Sequence, residues 1–439
     1  MERLIRRAAI ALLALALAGC GPTATAIRTP TPRPANSSTE LPLETGVPTE
    51  TGAPTPPPVP TYSLAPGAPW QLIPGFPDAG AFEVTSATAT PSGFAAVGFA
   101  AAPGEDYYGR RQGVVWRSSD GISWQATVDP SLLNVTPQTL VSVGSDLYLL
   151  GQLATCSQTY QQDCTEPPDS GNAVWRSSDG GAWERLPEDP GMRAGLVDGL
   201  AAGHDRVIAF GSADDDAGTS TAWVWSGSSW STTTDLGGLD PIYALCPSAT
   251  GFVGFSTHYN VDSDTSSLAA ATSADGLHFT AVQLPDTSAA PDAEIDVLAT
   301  NGSNIVAVGY GQNDNGDQIG LALYSADGAT WTVATDTDGS FNLGAPLSVA
   351  PVTGGYLALG YRPDAGDPSQ LAGSAWFSAD GRSWRGLAGT GGTFSDVTSS
   401  AAGPSIGLLF AVQQVDTEND SLLSTIIPWY AQLDKLLAH

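Results

Sequence analysis

A turn closed by an aromatic residue recurs along this chain, and its spacing restricts the fold more than any other feature. The clearest copies are Trp116 to Trp124 (WRSSDGISW) and Trp175 to Trp183 (WRSSDGGAW). Ser273 to Phe279 (SADGLHF), Ser325 to Trp331 (SADGATW) and Ser378 to Trp384 (SADGRSW) follow, and Trp225 to Trp230 (WSGSSW) is a reduced copy without the Asp. The closing aromatics stand at 124, 183, 230, 279, 331 and 384, with separations of 59, 47, 49, 52 and 53 residues. Repeats of roughly 40–50 residues made only of strands are propeller blades of four strands each. Solenoid repeats are shorter and carry helix, and no helical period is found after residue 30.

Each unit reads as four strands. In the fifth these are Glu294 to Thr300, Asn304 to Tyr310, Ile319 to Ser325 and Thr330 to Ala334. The second strand, an apolar run around Val-Gly or Leu-Gly, recurs seven times: near Phe94, Leu147, Val207, Phe252, Asn304, Tyr356 and Gly407. Such runs suit sheets covered on both faces, as blades in a ring are. The Asp-Gly pairs predict two-residue hairpins with both turn residues at positive φ. Seven second strands but six closed turns leave one blade incomplete. Trp70 to Pro74 (WQLIP) matches Trp183 to Pro187 (WERLP), so the first strand of the domain is expected to complete the last blade. That closure removes an exposed sheet edge. The fold class is therefore all-β, a seven-bladed propeller of four-stranded antiparallel blades closed by an N-terminal strand. Pro428 confines Ser424 to Tyr430 to an edge or a strand end.

The turn resembles the Asp-box, or BNR, repeat of sialidase-like propellers, written Ser-x-Asp-x-Gly-x-Thr-Trp, over residues 70 to about 430. This chain departs by one residue, with Asp120, Asp179, Asp275, Asp327 and Asp380 directly before Gly. The resemblance implies that these Asp residues tie down hairpins on the face away from a catalytic site, and that the aromatics pack between strands.

The N-terminus speaks to compartment. Arg3, Arg6 and Arg7 precede the apolar run Ala8 to Ala18, the layout of a secretory signal. Leu17-Ala18-Gly19-Cys20 looks like a bacterial lipobox, which implies cleavage before Cys20, lipidation of its sulfur and an extracytoplasmic protein anchored to the bacterial cell membrane. Residues 1–19 are thus read as signal peptide, 20–67 as a lipidated Cys with a Pro/Thr-rich disordered linker, and 68–439 as the propeller. The linker has too few bulky apolar residues for a core.

Composition narrows the partners. The formal charge is −29, with 45 acidic residues against 16 basic. Nucleic acid and anionic lipid surfaces are disfavoured, because both need phosphate neutralisation. Cys156 and Cys164 share a loop and are expected to form a disulfide, while Cys246 reads as a buried free thiol. The four His are scattered, and none falls at zinc spacing.

A site is sought on the face carrying the loops between second and third strands. Acidic clusters around Asp214, Asp262 and Asp314 make calcium a candidate ligand, and no other cofactor is implied. Tyr107, Tyr108, Tyr160 and Tyr259 offer stacking surfaces. Arg110, Arg111 and Arg362 lie on the same side. A sialidase needs three converging Arg, a Tyr–Glu pair and an acid Asp, and no inner strand carries an Arg. Glu83 and Glu294 stand only at the starts of inner strands, and no catalytic pair is nameable. The expectation is a monomeric, non-catalytic binding or assembly module for a glycan or an extracytoplasmic protein. The alternative is a sialidase-like or other glycan-active hydrolase.

Overall fold

Seven antiparallel sheets, each of four main strands, follow one another along the chain; the sixth also carries the short strands Thr335–Asp336, parallel to its outer strand, and Thr393–Phe394. The computed structural model describes residues 68–438, except 106–108, 155–169, 215–217, 261–264, 314, 316, 368–369 and 417–421; the side chains of 259–260, 414–416 and 422–424 are also outside the description. Blade 1 runs Ala81–Thr90, Gly93–Ala101, Arg111–Ser118 and Trp124–Thr127. The innermost strands of the later blades begin at Val135, Leu196, Ala244, Glu294, Ala345 and Asp396. Each innermost strand contacts the next, and that of blade 7 contacts that of blade 1, so the sheets close into a ring. Blade 7 joins Asp396–Gly403, Ile406–Asp416 and Leu422–Gln432 to Trp70–Leu72 as its outer strand. Trp70 pairs with Ala431, Gln71 with Tyr430 and Leu72 with Trp429. Pro428 lies where that outer strand ends, its carbonyl accepting from Ile73 N at 2.9 Å. Among the described residues the helical segments are short, a 3-10 turn at Pro130–Leu132 and α-helices at Pro190–Ala194 and, after the last strand, Leu433–Ala438; no described helix is long and apolar enough to cross a membrane.

The core is divided among the seven seams between blades. In the seam of blades 7 and 1, Phe94, Trp116 and Trp124 pack with Leu408 and Phe410. Between blades 4 and 5, Val253 and Phe255 meet Ile305 and Trp331. Both faces of each second strand are covered, which is why those strands are continuous apolar runs. The closing aromatics Trp124, Trp183, Phe279, Trp331 and Trp384 are all buried in these seams.

The Val-Gly and Leu-Gly signature has a backbone cause. In six blades the innermost strand bulges at one register, skipping Thr85, Gln138, Asp198, Asp296, Leu347 and Thr398 in turn. The second-strand partner at that register is Gly98, Gly151, Gly211, Gly309 or Gly360 in five of them. A Cβ on Gly98, Gly211, Gly309 or Gly360 would lie 2.0 Å from the carbonyl oxygen of Glu83, Leu196, Glu294 or Ala345. Only glycine lets the bulged strand approach so closely. Pro137 and Pro346 are tolerated at the bulge because the innermost strand leaves one edge unpaired.

The aromatic-closed turns differ from the two-residue hairpins expected. Ser118 pairs with Trp124, so the loop holds five residues, and only its Gly has positive φ. The Asp stays on the ordinary side and folds back as a cap. Asp327 Oδ1 accepts from Ala329 N at 2.9 Å and Thr330 N at 2.7 Å, while Ser325 Oγ accepts from Gly328 N at 2.8 Å. Trp331 Nε1 donates to Gly328 O at 2.9 Å. The Asp and Ser caps recur at Asp120, Asp179, Asp275 and Asp380, and the indole bond at Trp124 and Trp384. These backbone donors hold the Asp120 carboxyl down at about 2. Asp327→Ala leaves two backbone donors unmet and is expected to cost about 0.5–2 kcal/mol. Urea unfolding of the purified variant measures it. A midpoint identical to wild type would mean that the turn does not depend on its carboxylate.

Blade 4 departs from the expectation in another way. The span Thr257 to Ser266, expected to be loop, is largely a hairpin extension, since strands Gly251–Asn260 and Thr265–Ser273 pair from Phe252–Ser273 out to Asn260–Thr265. Polar residues there alternate on an extended arm beyond the core, which a search for apolar runs does not register.

Candidate functional site

Antiparallel pairing places the start of each innermost strand, the end of the second strand and the start of the third at one end of the ring. The Asp-containing turns lie at the other, beside the first hairpins. The bulges fall near the first end, so they steer residues of the innermost strands toward the axial channel at its mouth.

Carboxyl groups gather there. Glu83, Glu294 and Asp396 occupy equivalent positions in blades 1, 5 and 7, each one residue before the pair that opens the bulge. Asp198 and Asp296 are bulged residues of blades 3 and 5. Asp198, Asp296 and Asp396 keep more than a third of their surface open to water, and the protein around them still removes part of their hydration. Desolvation therefore dominates their acidity. It pushes Asp198 up to about 6. It pushes Asp296 well above the usual carboxylate range, with Glu294 adding to the effect. Glu83 is raised by burial and by Asp396, against a smaller opposing pull from Arg111.

Two tyrosines complete the wall. Tyr310 stands opposite Glu294 in the strand register, and burial, followed by Glu294 and Asp296, makes its hydroxyl a much weaker acid than usual. Tyr361 accepts from Gln318 Nε2 at 3.2 Å and lies within electrostatic reach of Asp396, Asp296 and Glu294. Blades 5, 6, 7 and 1 thus share one acidic, tyrosine-bearing mouth.

The bulged positions show how unusual those acids are. Thr85 and Thr398 turn their hydroxyls back to the second strand, donating to Val97 O at 3.2 Å and Phe410 O at 3.4 Å. Asp198 and Asp296 stand at the same position in their own blades. A carboxylate there has only acceptors to offer a carbonyl, whereas a protonated acid has a donor.

The arginines of this end are engaged elsewhere. Arg110 pairs with Glu105 at 2.8 Å. Arg111 lies over the rings of Phe99 and Phe82, at 4.7 and 5.6 Å. Arg362 donates to Ser340 O at 2.6 Å and covers Trp376. Arg193 pairs with Glu188. The structure does not converge them on one point. Of the other sequence-derived candidates, Asp214 is an exposed loop residue. Tyr259 lies in the second strand of blade 4, with its side chain outside the description. Tyr107, Tyr108, Tyr160, Asp262, Asp314 and the cysteines Cys20, Cys156 and Cys164 lie outside the described residues. Cys246 is a buried free thiol that desolvation pushes up to about 12. Among the described residues no three His, Cys, Asp or Glu side chains are placed to hold one metal ion.

Asp198, Asp296, Asp396, Tyr310 and Tyr361 were not singled out from the sequence. The acids mark the bulges, Asp198 and Asp296 as the bulged residues and Asp396 two residues before one, and a bulge is not visible in an apolar pattern.

The sequence matches no family model and no curated protein. Among solved structures, it is similar to a sialidase of Trypanosoma rangeli in complex with sialic acid, at 11% identity and TM-score 0.41, over 82% of this chain and 55% of that one. The chain therefore spans about half the length of that sialidase. A protein of unknown function from Dyadobacter fermentans is similar at 13% identity and TM-score 0.44, over 84% of this chain and 100% of the other. The WD40 domain of Neurospora crassa Pan2 is similar at 10% identity and TM-score 0.42, over 82% and 95%. These likenesses concern architecture alone, and the strand pairing already establishes it.

Proposed function

We propose that this protein is a lipid-anchored, extracytoplasmic propeller that binds a glycan or protein partner at its channel mouth without turning it over. One observation carries the reading: the mouth is walled by carboxyl and tyrosine groups while the arginines of that end are bound to internal partners. Glu294, Asp296 and Asp396 offer a sialic-acid carboxylate no cationic partner there, whereas gripping a carboxylate calls for Arg. The Ser-Asp-Gly-Trp turns, read as Asp-boxes, belong to the scaffold at the opposite end. The Leu17-Ala18-Gly19-Cys20 motif supports the anchor, and the following Pro/Thr-rich segment serves as its stalk.

A second reading has its own observation. Glu294 stands opposite Tyr310 with the bulged Asp296 two residues on, which sets a tyrosine and two carboxyls side by side, the kinds of group that general acid and base work uses. A glycan-array and glycosidase screen on residues 68–439 separates the two. Saturable binding without turnover is expected. Cleavage of a fluorogenic sialoside, lost on substitution of Arg110, Arg111 or Arg362, would establish the hydrolase instead.

The anchor has a separate test. Cys20→Ser is expected to move the protein from the membrane fraction to the soluble one. A variant that remains in membranes after a high-salt wash would end the lipoprotein reading.

A further inference from the structure

Beyond the channel mouth, we infer that the rim of blade 4 receives an extended, cationic segment of a partner protein, which joins the outer edge of its third strand as an added strand. The first support is a slot that sister blades fill and blade 4 leaves open. Six residues before the Ser of each capped turn stand Gln112 in blade 1, Ile319 in blade 5 and Ala372 in blade 6. The chain crossing to the next blade bridges each of them, at Leu133, Asn342 and Thr393. A stretch of extended chain is therefore what this slot is shaped to hold. The next residue in those blades is Gly113, Gly320 or Gly373, where a Cβ would come within 3.1 Å of Leu132, Phe341 or Thr390 of the crossing chain. Blade 4 has Ser267 and Leu268 at these positions. The Leu268 side chain denies the crossing chain that close approach, and no described residue pairs with Ser267 on its outer side. An open groove of about 740 Å³ lies there instead.

The second support is the bare backbone along that groove. The outer strand of blade 4 ends with Val282 opposite Ala270, whereas the third strand runs on to Thr265. On the uncovered edge Ser266 N donates to Asp292 Oδ1 at 2.7 Å, so a carboxylate takes the acceptor's place that a strand carbonyl takes elsewhere in the sheet. Leu268 faces the same way by the alternation of strands, and no described backbone bond crosses the edge to it. Uncovered edges are templates for a further strand. The third support is the lining. Leu268, Val282 and Leu284 are half-buried against the core between blades 4 and 5, giving apolar contact to alternate side chains of an added strand. Asp286 and Asp292 line the groove and no Lys or Arg does, which favours a segment carrying Lys or Arg. A sugar chain has no row of amide groups to match the edge, and a second copy of a chain with formal charge −29 brings repulsion.

The probe is a fluorescent hexapeptide of alternating Lys and Val, capped at both ends, titrated with the full-length protein at neutral pH and about 0.15 M salt and followed by anisotropy. Saturable binding at one site is expected. N-methylation of all the Val amides, or of all the Lys amides, blocks one edge of the peptide at a time, so one derivative should bind at least about ten-fold more weakly than the other. Leu268→Pro removes the open N–H of the blade and should weaken binding of the unmodified peptide at least about ten-fold, with a urea midpoint confirming that the variant folds. Asp286→Lys, at an exposed position of the groove, should weaken it at least about three-fold. Asp434→Lys, the same charge change in the C-terminal helix, should leave it unchanged. If Leu268→Pro does not fold, the methylated pair and Asp286→Lys decide without it.

Equal binding of the two methylated derivatives overturns the added strand. Equal losses in Asp286→Lys and Asp434→Lys mark diffuse attraction to an acidic chain and overturn the site. A dimer in sedimentation that Leu268→Pro dissolves gives the edge to a second copy and overturns the foreign segment. Absence of peptide binding also overturns the inference, and it leaves the reading of the channel mouth untouched, because the two sites share no residue.

Discussion

Trp70→Ala is expected to destabilise the propeller by about 3–5 kcal/mol, the range for truncating a large aromatic in a closed core. Trp70 is fully buried, and its indole donates to Ala388 O of blade 6 at 2.8 Å. It shares a core with Leu357 and Leu359 of blade 6 and Trp429 and Leu436 of blade 7. Gln71 adds a side-chain bond, accepting from the Tyr430 hydroxyl at 2.6 Å. Deleting residues 68–75 removes all of this and bares the outer edge of blade 7. Deleting residues 21–60, by contrast, should leave the unfolding midpoint where it is. Equal urea midpoints for the two truncations would refute closure by this strand.

Asp198→Thr is expected to make the protein more stable at neutral pH and to flatten its stability between about pH 4 and pH 6. The sign follows from linkage. Folding raises Asp198 from 3.8 to about 6 by desolvation. Below the unfolded value both states hold the proton and no penalty exists. As pH rises from there to about 6, the unfolded chain releases its proton while the folded one keeps it, so stability falls. Above that the loss is complete. Full linkage for such a shift amounts to about 3 kcal/mol. Asp198 still touches water, which screens its charge and reduces the expectation to about 1 kcal/mol. The turn acids act oppositely: Asp120, held at about 2 by backbone donors, contributes stability above the usual carboxylate range and loses it only in strong acid. Subtracting variant from wild-type curves therefore isolates Asp198. Parallel pH profiles would show that it titrates normally.

The fold was legible because its constraints are local and repeated. The closing aromatics mark where each fourth strand begins, and the expected bounds of blade 5, such as Glu294 to Thr300, coincide with the strand observed. The closure strand was legible from one internal match, WQLIP against WERLP. Turn geometry was not, because Asp-Gly reads alike in a two-residue hairpin and in a five-residue capped loop; the deciding contact, Ser325 Oγ to Gly328 N, is a side-chain bond outside any periodicity. The site was least legible. Glu83 and Glu294 were noticed only as residues at strand starts. Asp198 and Asp296 look like ordinary polar alternation until a bulge turns them inward, and bulges arise from pairing across strands. The Val-Gly signature did carry that information, since the glycine exists to seat the bulge, but its meaning emerges only in three dimensions.

The joining of Trp70–Leu72 to the C-terminal strand sets the order in which this protein can be built. The Trp70 indole and its acceptor are 318 residues apart in sequence, and the Tyr430–Gln71 bond spans 359. Blades 1 to 6 draw their four strands from nearby sequence and are free to form as the chain emerges from the ribosome. Blade 7 waits for both ends of the domain. Until it forms, an open crescent exposes two raw flanks, the inner seam of blade 1 and the outer face of blade 6. Such long-range closure is slow and leaves adhesive intermediates. Refolding from denaturant should therefore end in a slow phase tied to the ends, and circular permutants cut between other blades should change that last step while keeping the finished ring.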